Sequence, residues 1–252
     1  MFDLIDECGK ELKRYGYSLS KRGRYGVLVA ALKLGHEKKA QELGLRRGQY
    51  YIITSPFLYS LGKDNEEYLT KIIADKLKII LKEQGVKEND KILLACLGNP
   101  DIEGDRLGKE VFDRVGLSTL KGNVNLYKFC PNIYLFTGVE TAEVIKMFVN
   151  HLKIKCVVII DSLSTSSLSR LGTSFQLSSG GMTPGSGVAR FGKAIEEGDV
   201  GAKCISIGVP FMINSKSIEE TNEGIILVPK DVSSNVAVAG RVIANAINRV
   251  LL

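Results

Sequence analysis

The sequence predicts an α/β protein, a three-layer α/β/α sandwich with a mostly parallel sheet. Two observations predict it. Residues 92–97 and 156–160 are continuous apolar runs of strand length, the pattern of strands buried on both faces. Segments with helical periodicity alternate with such runs along the chain, as they do when crossover helices cover a parallel sheet.

Taken in order, residues 1–48 are rich in Gly and in basic residues with weak periodicity, and are expected to form a loosely packed lead-in, a plausible propeptide-like segment. Residues 49–252 are expected to form one α/β domain. Its first strand is residues 49–54, ended by Ser55-Pro56. A helix follows in which Leu69, Ile72, Ile73, Leu77, Ile80 and Leu81 share one face; Asp64 or Asn65 can cap it and Gly85 can stop it. After the 92–97 strand, a loop over 98–104 leads to a helix near 105–115, and another helix runs near 141–152. The 156–160 strand ends at Asp161. Further strands are expected near 174–177 and 204–207, and the chain closes with a helix over about 234–251 carrying Val238, Val242, Ile243, Ala246, Ile247 and Val250.

Charge and cysteine content bound the function. The net charge is +6, yet residues 1–50 hold 11 Lys+Arg against 6 Asp+Glu, while the remainder holds 23 against 22. A nucleic-acid-binding body is expected to carry its own basic face, and this body is close to neutral. Five widely spaced cysteines (Cys8, Cys96, Cys130, Cys156, Cys204) contain no C-x-x-C pair, against the usual zinc spacings and against a secreted disulfide framework. The opening residues, acidic and then charged from Lys10 to Arg14, do not read as a signal peptide. No apolar run is long enough to span a bilayer, so a cytoplasmic compartment is expected.

Ligands of open α/β sheets bind beyond the carboxyl ends of the strands. Two acids stand there: Asp105, after the loop that begins Gly98-Asn99, and Asp161, directly after the second apolar run. From separate strand ends they can converge in one crevice and share a proton, one acting as base and the other as acid. The plain alternative is that Asp105 caps its helix and Asp161 caps a turn. The Gly-rich stretch Gly180 to Gly187 can offer backbone N–H groups to an anion. Its continuation, Gly187 to Gly192 and then Lys193, approaches a phosphate loop, but Ala194 replaces the hydroxyl that would hold magnesium. Only His36 and His151 exist, no G-x-S-x-G elbow occurs, and a nucleophilic triad or a conventional zinc site is not expected.

The same blocks resemble the germination protease (spore protease) family, endopeptidases that degrade small acid-soluble spore proteins when a bacterial spore germinates. The resemblance rests on Ala40 to Gly44 with Gly48 to Thr54; on Leu97-Gly98-Asn99 followed by Asp105, Leu107 and Gly108; and on Val158 to Leu163 with Ser169-Arg170-Leu171 and Thr173. It continues through Pro184-Gly185-Ser186-Gly187-Val188, Ile207-Gly208-Val209-Pro210, Val228-Pro229-Lys230 and Ile243 to Arg249. It implies an atypical aspartic endopeptidase whose essential carboxylates are Asp105 and Asp161, with Gly98, Asn99, Pro184, Gly185, Ser186 and Gly187 lining the substrate cleft. It also implies a phosphorylase/hydrolase-like fold similar to the hydrogenase maturation proteases, a zymogen that loses a short N-terminal segment, a homo-oligomer working in the forespore or spore core, and no cofactor. Small acid-soluble spore proteins are the implied substrate, with no membrane and no direct nucleic-acid partner. Three departures stand out. Residues 189–193 depart from the family's pattern after Pro184 to Val188, Lys109 stands where the family usually has Pro, and Asn214 replaces an acid. With a chain shorter than family members, they keep two alternatives open: a metal-assisted protease with Asp105 and Asp161 as ligands, and a sporulation-associated relative without catalysis.

Overall fold

The computed structural model describes residues 17–19, 23–55, 58–117, 125–131, 138–184, 192–214 and 226–252. The strands are β1 (Ser18–Leu19), β2 (Leu28–Leu34), β3 (Gly48–Thr54), β4 (Ile92–Cys96), β5 (Leu126–Phe129), β6 (Cys156–Thr165), β7 (Ser174–Ser178), β8 (Lys203–Asn214) and β9 (Ile226–Leu227). The helices are α1 (Glu37–Glu42), α2 (Lys63–Glu83), α3 (Leu107–Arg114), α4 (Thr141–Leu152), α5 (Glu197–Val200) and α6 (Val232–Leu251). Among the described residues one sheet orders its strands β1-β2-β3-β7-β8-β6-β4-β5, with β9 added to the far end of β8.

The sheet has two halves. β8, β6, β4 and β5 run parallel, as the apolar runs predict, and β4 and β6 are buried almost throughout. β1, β2, β3 and β7 are joined antiparallel, and β7 meets β8 antiparallel as well. The sheet is therefore mixed, with its parallel character confined to the half that carries the two acids.

Helices cover both faces. On one, α2, α3 and α6 press Leu77, Ile80, Leu107, Val111, Ile243 and Ile247 onto Leu94, Val158, Ile160 and Ile207. Arg241 of α6 forks onto both carboxylate oxygens of Glu66 in α2, each at 2.8 Å, which fixes the two helices in register. On the other face, Ile145 and Val149 of α4 and Val200 of α5 pack on Leu93, Ala95, Val157 and Ile159. A separate apolar cluster on that second face joins α1 to β2 and β3 through Ala40, Leu32, Leu34, Tyr50 and Ile52.

Three sequence expectations need correction. Residues 28–34, expected in a loosely packed lead-in, form β2 and pair with β3 along its whole length. Ala30, Leu32 and Leu34 alternate inward, and β1 pairs with β2, so among the described residues the packed body includes β1 and β2 rather than starting at residue 49. The strand expected to end at Asp161 continues to Thr165, because β8 runs on to Asn214 and supplies a partner past a register shift at Leu163/Ser164. The helix expected from 105 starts at Leu107, preceded by a 3-10 turn over Glu103–Asp105.

Candidate active site

Asp105 is positioned by bare backbone. Beyond β4 the chain turns at Gly98, whose φ of +100 is open to glycine and strained for other residues. A β-carbon there would lie 2.0 Å from the Asp105 carbonyl oxygen and 3.1 Å from its Oδ1. Gly108, in the first turn of α3, is as tightly placed: a β-carbon on it would lie 2.1 Å from the Leu97 carbonyl oxygen. The two glycines let the helix start sit directly on the strand end, with Asp105 between them. The Asn99 N–H donates to Asp105 Oδ2 at 2.8 Å, and the Asn99 side-chain oxygen accepts from the Asp101 N–H at 2.9 Å, which folds the intervening loop. Below the turn, Gly104 is wedged against Val228 and Met212, and the Ser233 hydroxyl of α6 donates to the Glu103 carboxylate. Burial pushes the Asp105 carboxyl up to about 6, against the Asn99 hydrogen bond, which pulls it down.

Asp161 enters from the neighbouring strand. β4 ends at Cys96, which pairs with Ile160, and the Leu97 N–H donates to the Ile160 carbonyl at 2.7 Å. Asp161 is thus the first residue of β6 past its β4 partner, 7% exposed, and its Oδ1 accepts the Ser162 N–H at 2.9 Å. Its register partner on β8 is Gly208, where a β-carbon would lie 2.6 Å from Leu163 Cγ. The Leu97–Gly98 backbone therefore meets the Ile160 carbonyl, one residue before Asp161, and the Asp105 backbone carbonyl.

The remaining cleft residues divide. Gly98 and Asn99 shape the Asp105 turn as described. Gly185, Ser186 and Gly187 lie outside the described residues, as does the Asn214 side chain; Pro184 is the last described residue of the segment leading to them. That segment starts at the end of β7 and folds back over the second face. The Gly180 N–H donates to Ser178 Oγ at 2.9 Å, the Ser206 hydroxyl donates to the Gly181 carbonyl at 3.3 Å, and Met182 bridges to Ile195. Arg46 clips it from outside, with Nη2 donating to Thr183 Oγ1 at 2.7 Å and Nε paired with Glu196 Oε2 at 2.5 Å.

Rival sites lose support. Lys193, the residue that would contact phosphates in a nucleotide loop, pairs with Glu143 of α4, and its N–H donates to Glu140 Oε2 at 3.2 Å. Cys96, Cys156 and Cys204 are buried, and burial raises all three thiols, Cys204 to about 12, so they stay protonated. His36 precedes α1 and His151 sits in the last turn of α4. Among the described residues no cluster of three metal-ligating side chains occurs. No described helix is long and apolar enough to cross a membrane.

Sequence reasoning did not single out Arg46, Ser178, Ser206 or Gln176. Gln176 aligns with Gly208 on β8, and so with Asp161 beyond it, and is 7% exposed. A polar residue alternating with Phe175 and Leu177 reads as the wet face of an edge strand, whereas β7 is an interior strand of the sheet.

An α/β sandwich with one acid on a buried parallel strand and a second in the turn beyond the neighbouring strand is the class of molecule that the fold and the site define. The family model for germination protease matches residues 7–232, and the chain belongs to the germination protease family, a family of peptidases. It is 30% identical over 250 residues to the germination protease of Caldanaerobacter subterraneus subsp. tengcongensis, covering 95% of this chain and 76% of that one. The Priestia megaterium and Bacillus subtilis germination proteases are 24% and 25% identical, over 84% and 86% of this chain. The matches span only 60% and 61% of those two proteins. Among solved structures, the [NiFe] hydrogenase maturation protease HycI from Thermococcus kodakarensis KOD1 is similar over 62% of this chain and 92% of its own, at 18% identity and a TM-score of 0.36.

Proposed function

We propose that this chain is an endopeptidase that cleaves small acid-soluble spore proteins during germination, with Asp105 and Asp161 as its acid–base pair. The observation that carries the reading is the Asp105 carboxyl, raised to about 6 by burial, with a second buried acid, Asp161, on the neighbouring strand one residue past the carbonyl that accepts the Leu97 N–H. Two carboxyls in such a setting divide their roles by environment, and the one that burial makes easier to protonate is the natural acid. Asp161 takes a proton from water as the water oxygen attacks the peptide carbonyl carbon. Asp105 gives its proton to the carbonyl oxygen, leaving a gem-diol. Asp161 then passes the acquired proton to the amide nitrogen, the C–N bond breaks, and Asp105 recovers a proton from the diol as the new carboxylic acid forms. The backbone of the glycine segment, held by Ser178 and Ser206, supplies donors along the cleft.

Family membership supports the substrate class, action in the spore core and assembly as a homo-oligomer. It also supports activation by loss of an N-terminal segment. Because β2 is paired along its length with β3, a removable segment would end ahead of β2.

The test is incubation of the purified protein with a small acid-soluble spore protein, with fragments read by mass spectrometry. Discrete internal cleavage is expected. A spore protein left intact while unrelated peptides are cut would overturn the substrate assignment. Activity lost to a chelator and restored by a divalent ion would recast the two aspartates as metal ligands.

A further inference from the structure

Between the two apolar clusters of the second sheet face lies a polar strip: Ser174, Gln176 and Ser178 from β7 and Ser206 from β8, all buried. Ser178 and Ser206 are used by the glycine segment. Gln176 Nε2 and Ser174 Oγ, neighbours on the same face, have no hydrogen-bond partner among the described residues. A buried amide donor without a partner is costly, and native structures satisfy such groups with protein, ordered water or a bound ligand.

Register says where that donor stands. Asp161, Gly208 and Gln176 form one row across β6, β8 and β7, on the face that also carries Ile159 and Ile52. Two strand spacings separate Asp161 from Gln176, about 10 Å. Gly208 contributes no side chain to the interval, and Leu163 folds over it to leave an apolar floor. An extended polypeptide advances about 3.3 Å per residue, so one lying along this row carries a main-chain carbonyl past Gln176 within about three residues of the bond at Asp161. Proteins that hold extended peptides bind them through such main-chain hydrogen bonds.

We propose that Gln176 is a substrate-binding residue, its Nε2 donating to a main-chain carbonyl of the polypeptide that crosses the β6–β8–β7 face beside Asp161. The inference rests on the endopeptidase reading and adds a named main-chain contact to it. It predicts an unusual pairing of effects. A glutamine bonded within the fold stabilises it, and its loss lowers stability. A glutamine awaiting substrate does the reverse: replacing it by an apolar side chain of similar shape relieves the buried donor while binding suffers.

The experiment uses the full chain with Asp161→Asn, which on the acid–base reading holds substrate without turning it over, alone and combined with Gln176→Met. Binding of a fluorescein-labelled small acid-soluble spore protein is followed by anisotropy, and stability by the urea midpoint. The expected result is about tenfold weaker binding, the scale of one lost hydrogen bond, with a midpoint equal to or above that of the single variant. Unchanged binding, or a lowered midpoint, would overturn the proposal. The acid–base reading is judged separately, by whether Asp161→Asn alone still cleaves.

Discussion

A β-carbon on Gly98 would lie 2.0 Å from the carbonyl oxygen of Asp105, so these two residues meet through unadorned backbone. The contact ties the end of β4 to the turn before α3 and sets where the Asp105 carboxyl points. Gly98→Ala would force a side chain into that contact and into a φ of +100. Left-handed backbone costs about 1–2 kcal/mol and overpacking about 1–3 kcal/mol, so a loss near 3 kcal/mol is expected from urea unfolding. Gly85→Ala is the control, with a φ of +71 and nothing within 4 Å, and carries only the backbone cost. Equal losses at the two positions would show that the close approach is absent.

Asp105 makes stability depend on pH in a definite direction. Its carboxyl titrates at about 6 in the fold against an ordinary 3.8, so the folded state holds this proton more tightly than the unfolded chain. Its contribution is fully present below about pH 4 and is lost as pH rises through about 6. Asp105→Asn keeps an acceptor for the Asn99 N–H and cannot ionise. The variant should therefore be more stable than wild type at pH 7, by no more than about 3 kcal/mol, and the gap should close by pH 4. Urea midpoints at the two pH values check it.

The same titration shapes catalysis. If Asp105 is the proton donor, its ionisation removes the acid, and kcat/KM should fall with rising pH through a midpoint of about 6. Initial rates at low concentrations of a spore protein between pH 4 and 8 give the profile. A kcat/KM that rises across that interval would assign the donor role elsewhere.

Arg46 holds the glycine segment through Thr183 on one side and Glu196 on the other. Arg46→Ala should lower unfolding stability by about 1–2 kcal/mol, since a charged hydrogen bond and a half-exposed ion pair are lost together. Arg46→Lys should recover only part, because an ammonium cannot fork between the two partners as guanidinium does. Full recovery by lysine would reduce the clip to simple charge attraction.

How far the sequence reaches can be judged from these residues. Asp105 and Asp161 stand out because each lies beyond a run of apolar residues too continuous for anything but a buried strand, and the ends of such runs are where such sheets bind ligands, although β6 runs on past Asp161 to Thr165. Gly98 and Gly108 are visible as a motif, but their reason, a helix start resting on backbone, needs coordinates. β2 is obscured by the Gly-rich and basic residues on either side of its short run. Its inward alternation of Ala30, Leu32 and Leu34 gains meaning only once β3 is beside it. The antiparallel half of the sheet is hidden for a related reason: β7 alternates polar and apolar like an edge strand, yet lies between β3 and β8. Arg46 meets Thr183 across 137 residues of chain, a pairing that no local pattern encodes.

The central claim, that Asp105 and Asp161 act together on a peptide bond, is tested most directly by kcat for wild type, Asp105→Asn and Asp161→Asn on one small acid-soluble spore protein, each variant first shown to unfold cooperatively. Each substitution removes one partner in proton transfer, and each should lower kcat by at least about a hundredfold. Either variant turning over within a few-fold of wild type would contradict it.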